Sequence, residues 1–173
     1  MSSNNRSLLV FNFGFLLEAT LGTSRKIELD YPSVRVGDDL TLTPLTGTIT
    51  ATRISEGVYV SGKLHSTVSL QCMRCLEEAI SPITIHLDEL FYYPESSLPA
   101  EEQYAFDGET GRIDLAPLVR EIGFLSFPIR PICKPDCQGL CMVCGQNLNI
   151  ADCDCEDDDI DPRMAALRGL LEQ

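Results

Sequence analysis

The sequence predicts an α+β protein: mostly antiparallel β-sheet with a long hairpin, a few short helices and a cysteine-rich zinc-knuckle segment. Three observations carry this expectation. The section from Leu40 to Phe91 reads as antiparallel sheet, with apolar and polar residues alternating with a period of two within it. A helical stripe of apolar residues follows at Leu115, Leu118, Val119, Ile122 and Leu125. Six of the eight cysteines then crowd into Cys133–Cys155, CKPDCQGLCMVCGQNLNIADCDC. The 173 residues suit one domain, or one with a small appended module. The expected organisation is a disordered N-terminus at 1–7, a β-rich α+β core at 8–128, a metal-binding segment packed on it at 129–155, and an acidic linker with a C-terminal helix at 156–173.

Residues 1–7 (MSSNNRS) are uniformly polar. From Leu8 a short strand leads into a short helix, with Phe13, Leu16, Leu17 and Leu21 near helical spacing and Gly22 as its stop. The same stretch makes a poor export signal, because only Arg6 precedes it, Asn12 and Gly14 interrupt it, and Glu18 follows at once. No apolar run approaches the ~18 residues of a membrane span. The expected location is cytoplasmic, where thiols stay reduced, so cysteines favour metal over disulfides.

Lys26–Tyr31 reads as a strand ended by Pro32. In Leu45–Ile54, the residues Leu45, Gly47, Ile49 and Ala51 share one face, with threonines between them. Glu56-Gly57 forms the next turn. Val58, Val60, Gly62, Leu64, Ser66, Val68 and Leu70 line one face of a long strand that runs into Cys72. After Cys75 the alternation resumes, with Ile83, Ile85, Leu87 and Glu89 opposite in phase to Thr84, His86 and Asp88. Cys72-Met73-Arg74-Cys75 is thereby placed at the tip of a long hairpin. His65 and His86 fall on the solvent face and read as surface residues rather than ligands. Pro94–Arg112 reads as an acidic loop, ordered in part by Tyr104 and Phe106. Asp114 can cap the following helix, which Pro128 ends. Asp161-Pro162 opens a last short helix whose Met164, Leu167 and Leu171 need a docking surface.

Two C-x-x-C pairs, Cys72/Cys75 and Cys141/Cys144, have the spacing of metal knuckles, in which two thiolates point at one ion. Gly145 after the second frees the backbone to curl beneath the metal. The expected cofactor is structural zinc, as one or two ions, drawn from Cys72, Cys75, Cys133, Cys137, Cys141, Cys144, Cys153 and Cys155. Three partitions are compatible with the spacing: Cys133, Cys137, Cys141 and Cys144 as a local site; Cys141 and Cys144 with Cys153 and Cys155; or the two knuckles face to face. Thiol–disulfide exchange is the rival use of C-x-x-C, but it wants a thiolate at a helix N-terminus, which neither pair supplies. Fe–S ligation uses the same residue type. No Ser-His-Asp or Cys-His spacing emerges, so no catalytic residue and no small-molecule substrate is expected.

Net charge is −13, and the seven acids among residues 152–161 hold about half of it; without them the chain is still at −6. Such a surface disfavours non-specific nucleic-acid binding, which needs cations to displace phosphate counterions. A protein partner, especially a basic one, suits the field better. Arg74, Arg130 and Lys134 flank the knuckles and are the candidate contacts for a phosphate or acidic patch.

Five motifs in order then carry a family resemblance: C-M-R-C-L-E at 72–77, G-R-I-D-L at 111–115, F-P-I-R-P-I-C at 127–133, C-Q-G-L-C-M-V-C-G-Q-N-L-N at 137–149 and D-P-R-M-A-A-L at 161–167. Together, over roughly residues 20–171, they resemble the cysteine-rich branch of the bacterial YceD family. The resemblance implies a non-enzymatic cytoplasmic protein needed for normal accumulation of large-subunit (23S) ribosomal RNA, with plastid relatives in plants. Cys72, Arg74 and Cys75 match its C-x-R-C unit. Many relatives lack most of the second cysteine cluster, which implies that the metal stabilises the fold here. The expected partners are ribosomal RNA or pre-ribosomal and assembly proteins. The alternatives are a zinc-stabilised interaction adaptor without an RNA role, and a thiol redox protein.

Overall fold

The computed structural model describes residues 8–93, 104 and 106–155. The expected disordered start, most of the acidic loop, the acidic linker and the closing helix lie outside the described residues. Ten elements are seen among those described: β1 (Val10–Asn12), α1 (Gly14–Leu17), β2 (Ser24–Tyr31), β3 (Val34–Val36), β4 (Leu40–Leu42), β5 (Leu45–Ile54), β6 (Gly57–Gln71), β7 (Glu78–Tyr92), β8 (Arg112–Asp114) and α2 (Ala116–Leu125). Strands β2, β5, β6 and β7 form one antiparallel sheet in that order. Strands β1 with β8 and β3 with β4 form two separate two-stranded antiparallel sheets. The sheet-dominated α+β class is thus as the sequence predicts.

The alternation read from the sequence sets which face of the sheet is buried. In β6, Val58, Val60, Leu64, Ser66 and Val68 are buried, and in β7 so are Ala79, Ser81, Ile83, Ile85, Leu87 and Phe91. The register pairs Leu64 with Ile85 and Ser66 with Ile83, so both strands turn the same face inward. That face packs against Phe13 and Leu16 from the N-terminal turn, Leu40 and Leu42 from β4, and Leu118 and Val119 from α2. Each fully buried aliphatic side chain contributes about 1.5–3 kcal/mol.

Two glycines let β5 and β6 approach over bulky neighbours. Gly47 lies opposite Leu64, and Gly62 opposite Ile49. At Gly47 φ is +146°, and a Cβ there would run into the Lys63 carbonyl oxygen and the Leu64 backbone. Gly47→Ala is expected to cost at least about 2 kcal/mol, from strain and from contacts that backbone atoms cannot relieve. Urea unfolding checks it; a midpoint like that of the wild type would contradict the close approach.

The α2 stripe is observed with one correction. Leu115, Leu118 and Val119 are buried and Ile122 is half-buried, but Leu125 is 80% exposed. The helix ends at Leu125, before Pro128 is reached. The Ser126 N–H and Oγ both bond the Ile122 carbonyl and close its last turn. The N-cap is Leu115, with no side-chain cap bond, rather than Asp114; Asp114 sits one residue earlier, its Oδ1 accepting the Ala116 N–H at 2.9 Å, with Pro117 in the first turn. Gly123 faces Leu40 and Ile85, which brings α2 close to β4 and β7. Arg120 ties the helix to the β3–β4 turn through its ion pair with Asp39, whose carboxyl it holds below the usual range.

Candidate metal centre

The register of β6 and β7 puts Gln71 opposite Glu78, so residues 72–77 form the loop at the hairpin tip, where the sequence places the first knuckle. The Cys72 N–H donates to the Glu77 carbonyl (2.7 Å) and the Leu76 N–H to the Cys72 carbonyl (2.9 Å). The loop thereby curls around the Cys72 sulfur. The N–H of Cys75 and then that of Arg74 point at this sulfur and draw the Cys72 thiol down to about 6, against the opposing effect of burial.

The second C-x-x-C repeats this geometry. The Cys141 N–H donates to the Gln146 carbonyl (2.8 Å), and the Gly145 N–H donates to the Cys141 carbonyl (2.9 Å). The N–H groups of Cys144 and Val143 lower the Cys141 thiol to about 6, the latter at 3.4 Å from Sγ. The residue after each pair is left-handed: Gly145 at φ 74°, but Leu76 at φ 61°. A side chain in this conformation costs roughly 1–2 kcal/mol. Leu76 is also 55% exposed, so little burial offsets the strain. Leu76→Gly is accordingly expected to leave stability unchanged or raise it by up to about 1 kcal/mol, whereas Gly145→Ala lowers it by about 1 kcal/mol. Thermal unfolding of the two variants checks the pair; a destabilised Leu76→Gly would refute the equivalence.

The remaining cysteines close two sets of four. Residues after α2 return to the hairpin tip, where the Pro131 carbonyl accepts the Met73 N–H (2.9 Å). This delivers Cys133 and Cys137 to the first knuckle, with Cys75 Sγ to Cys133 Sγ at 3.5 Å and Cys72 Sγ to Cys137 Sγ at 3.9 Å. Cys141, Cys144, Cys153 and Cys155 form the second set, and within each set all sulfurs lie within 4.8 Å of one another. Four thiolates around one tetrahedral ion at ~2.3 Å would stand about 3.8 Å apart. Disulfides would need about 2.05 Å, and all eight cysteines are free. Each set could therefore hold one metal ion.

Of the three partitions, the geometry brings together Cys141 and Cys144 with Cys153 and Cys155. It separates Cys133 and Cys137 from Cys141 and Cys144, and it does not set the two knuckles face to face. The reason is the β-bridge between Leu140 and Asn147, which folds the second knuckle into a hairpin of its own beside the first. The pairing of Cys72 and Cys75 with Cys133 and Cys137 is not among the partitions read from spacing, because the return of the chain after Pro128 leaves no local signal.

Charge explains why these sets suit a cation. Burial, and then the neighbouring Cys75, push the Cys133 thiol up to about 12. Cys144, and then burial, do the same to Cys155. In each set the first knuckle sulfur is drawn toward the thiolate while the last thiol is pushed up, and four thiolates would in addition crowd negative charge within 4.8 Å. A divalent cation removes that repulsion and lets all four act as thiolates. Each set has one exposed member, Cys133 and Cys144, but Cys72, Cys75 and Cys137 are buried whereas Cys141, Cys153 and Cys155 are half-buried, so the first set is the more enclosed.

The other candidate residues sit differently from one another. The Arg74 guanidinium donates to the Cys137 carbonyl at 3.0 Å, and its own carbonyl accepts the Leu140 N–H at 3.1 Å. It thus fastens the returning segment to the hairpin tip. Arg130 and Lys134 are exposed on that segment. His65 and His86 are exposed on the sheet, and neither joins a cysteine set. Sequence reasoning missed Asn149, whose Nδ2 lies 3.4 Å from the Cys137 sulfur.

No helix among the described residues is long and apolar enough to cross a membrane. No solved structure matches the chain. It is similar to an uncharacterised protein of Mycobacterium tuberculosis, 37% identical over 68% of this chain and 58% of the relative. An uncharacterised protein of Mycobacterium leprae is 29% identical over 90% of this chain and 70% of the relative. The chloroplastic large ribosomal RNA subunit accumulation protein YCED homolog 1 of Arabidopsis thaliana is 34% identical over 76% of this chain and 50% of the relative. The chain thus spans little more than half the length of several curated relatives it matches. The sequence profile described as large ribosomal RNA subunit accumulation protein YceD matches residues 60–171, from near the start of β6 through both cysteine sets, and the chain belongs to the YceD family.

Proposed function

We propose that this chain is a non-enzymatic cytoplasmic factor that supports the synthesis, stability or assembly of 23S ribosomal RNA, with two structural zinc ions holding its C-terminal segment in place. The observation that carries the reading is that all eight cysteines fall into two four-sulfur sets within a YceD-family chain. Four thiolates fill a tetrahedral ion, leaving no open position for substrate, which favours a structural role. An all-sulfur tetrahedral donor set suits zinc or Fe–S. Zinc is preferred because it needs no redox partner, and it predicts a colourless protein. Partners are ribosomal RNA or pre-ribosomal and assembly proteins, met through exposed residues such as Arg130 and Lys134 on the metal-bound segment.

Depleting the protein in its host and quantifying 23S against 16S ribosomal RNA tests the reading. A fall in 23S, restored by the wild-type chain, is expected; an unchanged ratio would overturn it. The adaptor alternative predicts protein capture without any change in that ratio.

A redox reading is favoured by one observation, the lowering of Cys72 and Cys141 to about 6. The same N–H groups serve a metal thiolate equally well, and Cys72 is fully buried, out of reach of a disulfide substrate. Turnover of a disulfide substrate by the reduced protein would reinstate it.

A further inference from the structure

The two cysteine sets are not independent. Asn149 lies between Cys144 and Cys153, inside the chain segment that closes the second set, yet its side chain reaches the first. Its Nδ2 approaches Cys137 Sγ at 3.4 Å, and its Oδ1 accepts the Gln138 N–H at 3.0 Å. The two ends of one amide thereby bracket Cys137 and its neighbour. The same Nδ2 donates to Asn147 Oδ1 at 2.9 Å, and Asn147 Oδ1 also takes the Asn149 N–H at 3.0 Å, which fixes the rotamer. A backbone bond from the Leu148 N–H to the Gly139 carbonyl, 2.9 Å, holds this turn against the first site.

We propose that Asn149 couples the two metal sites, so that an ion in the second site raises the affinity of the first. This rests on the metal reading above. The second segment has little apolar packing of its own: Met142, Val143 and Ile150 are 93%, 64% and 74% exposed, and Leu140 packs against the first set instead. Beyond its bonds to the first site, its order therefore draws on its own ion, as in small domains folded by metal. When that ion leaves, the turn carrying Asn149 keeps its bonds to Gly139 and Gln138 and loses the restraint from the second set, so the N–H donor to Cys137 is less firmly held. Such a donor stabilises the thiolate form and aims its lone pair, the role that outer partners play around metal ligands. Linkage makes the effect mutual: filling the first site, which pins Cys137 and Gln138, favours the turn and the second site.

The test is cobalt(II) and zinc competition titration of the reduced full chain, read by thiolate-to-cobalt absorption, in four forms. These are the wild type, Asn149→Ala, Cys153→Ser with Cys155→Ser, and all three substitutions together. Emptying the second site by the cysteine pair is expected to weaken the first about tenfold, within the range measured for outer-shell partners. Asn149→Ala alone is expected to weaken the first site by a similar factor with two ions still bound. The triple variant should be no weaker at the first site than the cysteine pair. Additive losses in the triple variant, or an unchanged first site in Asn149→Ala, would overturn the coupling. Failure of the wild type to bind metal at all would instead overturn the metal reading. Hydrogen exchange of β5–β7, expected to be the same in all four forms, separates loss of affinity from loss of fold.

Discussion

Replacing Cys72 with serine is expected to leave the chain with one bound ion and to release the segment that follows α2 from the hairpin tip. Cys72 is fully buried, and its backbone anchors the loop through Glu77 and Leu76. Outer-shell changes alone cost about 10–100-fold in metal affinity, so removing a ligand should cost more than about 100-fold at the first site. Structural zinc contributes apparent binding free energies of about 10–16 kcal/mol in small domains, and losing one ion removes most of what orders its ligands. The sheet should survive, because its core lies among Ile49, Leu64, Ile85 and Leu118 and does not include the cysteines. Hydrogen exchange would read fast amides at residues 131–140 beside protected strands. Retained protection there, with two ions bound, would contradict the assignment of Cys72.

Leu64→Ala is expected to destabilise the protein by about 2–5 kcal/mol, the cost of a cavity in a tightly packed core. Leu64 is fully buried in β6 with Gly47 opposite it on β5 and Ile85 opposite it on β7. Glycine on one side offers no side chain that could relax into the space. Urea unfolding would give the value. A loss under about 1 kcal/mol would mean that β6 does not present this face to the core.

The regions that these two substitutions probe are unequally legible in the sequence. The hairpin of β6 and β7 is readable because a period of two persists through 15 residues on each strand and only one phase buries leucine, isoleucine and valine. The position of Cys72–Cys75 at its tip follows from the same count. Of the β3–β4 pair, β4 falls at the start of the expected sheet at Leu40, but β3 passes unnoticed although Val34 and Val36 alternate before Gly37 and two aspartates, a signal that a three-residue strand makes too short to trust. The pairing of β1 with β8 joins residues about a hundred positions apart, and only tertiary packing decides it. Leu125 follows the helical stripe in sequence but faces solvent, because the helix ends there and the core beneath it has already closed.

The cysteines show the same division. Their identity as candidate ligands is local information, carried by C-x-x-C and the residue after it. Their partition is not, since Cys133 and Cys137 are fixed by Pro131, Arg74 and Leu140 bonding across to the hairpin tip. Asn149 is invisible for a similar reason: an asparagine in a polar turn is ordinary until its amide is placed beside a sulfur of the other site.

Elemental analysis of the reduced full chain, paired with a count of reactive thiols before and after chelation, tests the role of the cysteines most directly. Two zinc ions per chain are expected, with all eight thiols shielded until the chelator is added. A metal-free protein whose eight thiols react at once would contradict the claim that these cysteines organise the C-terminal half of the fold.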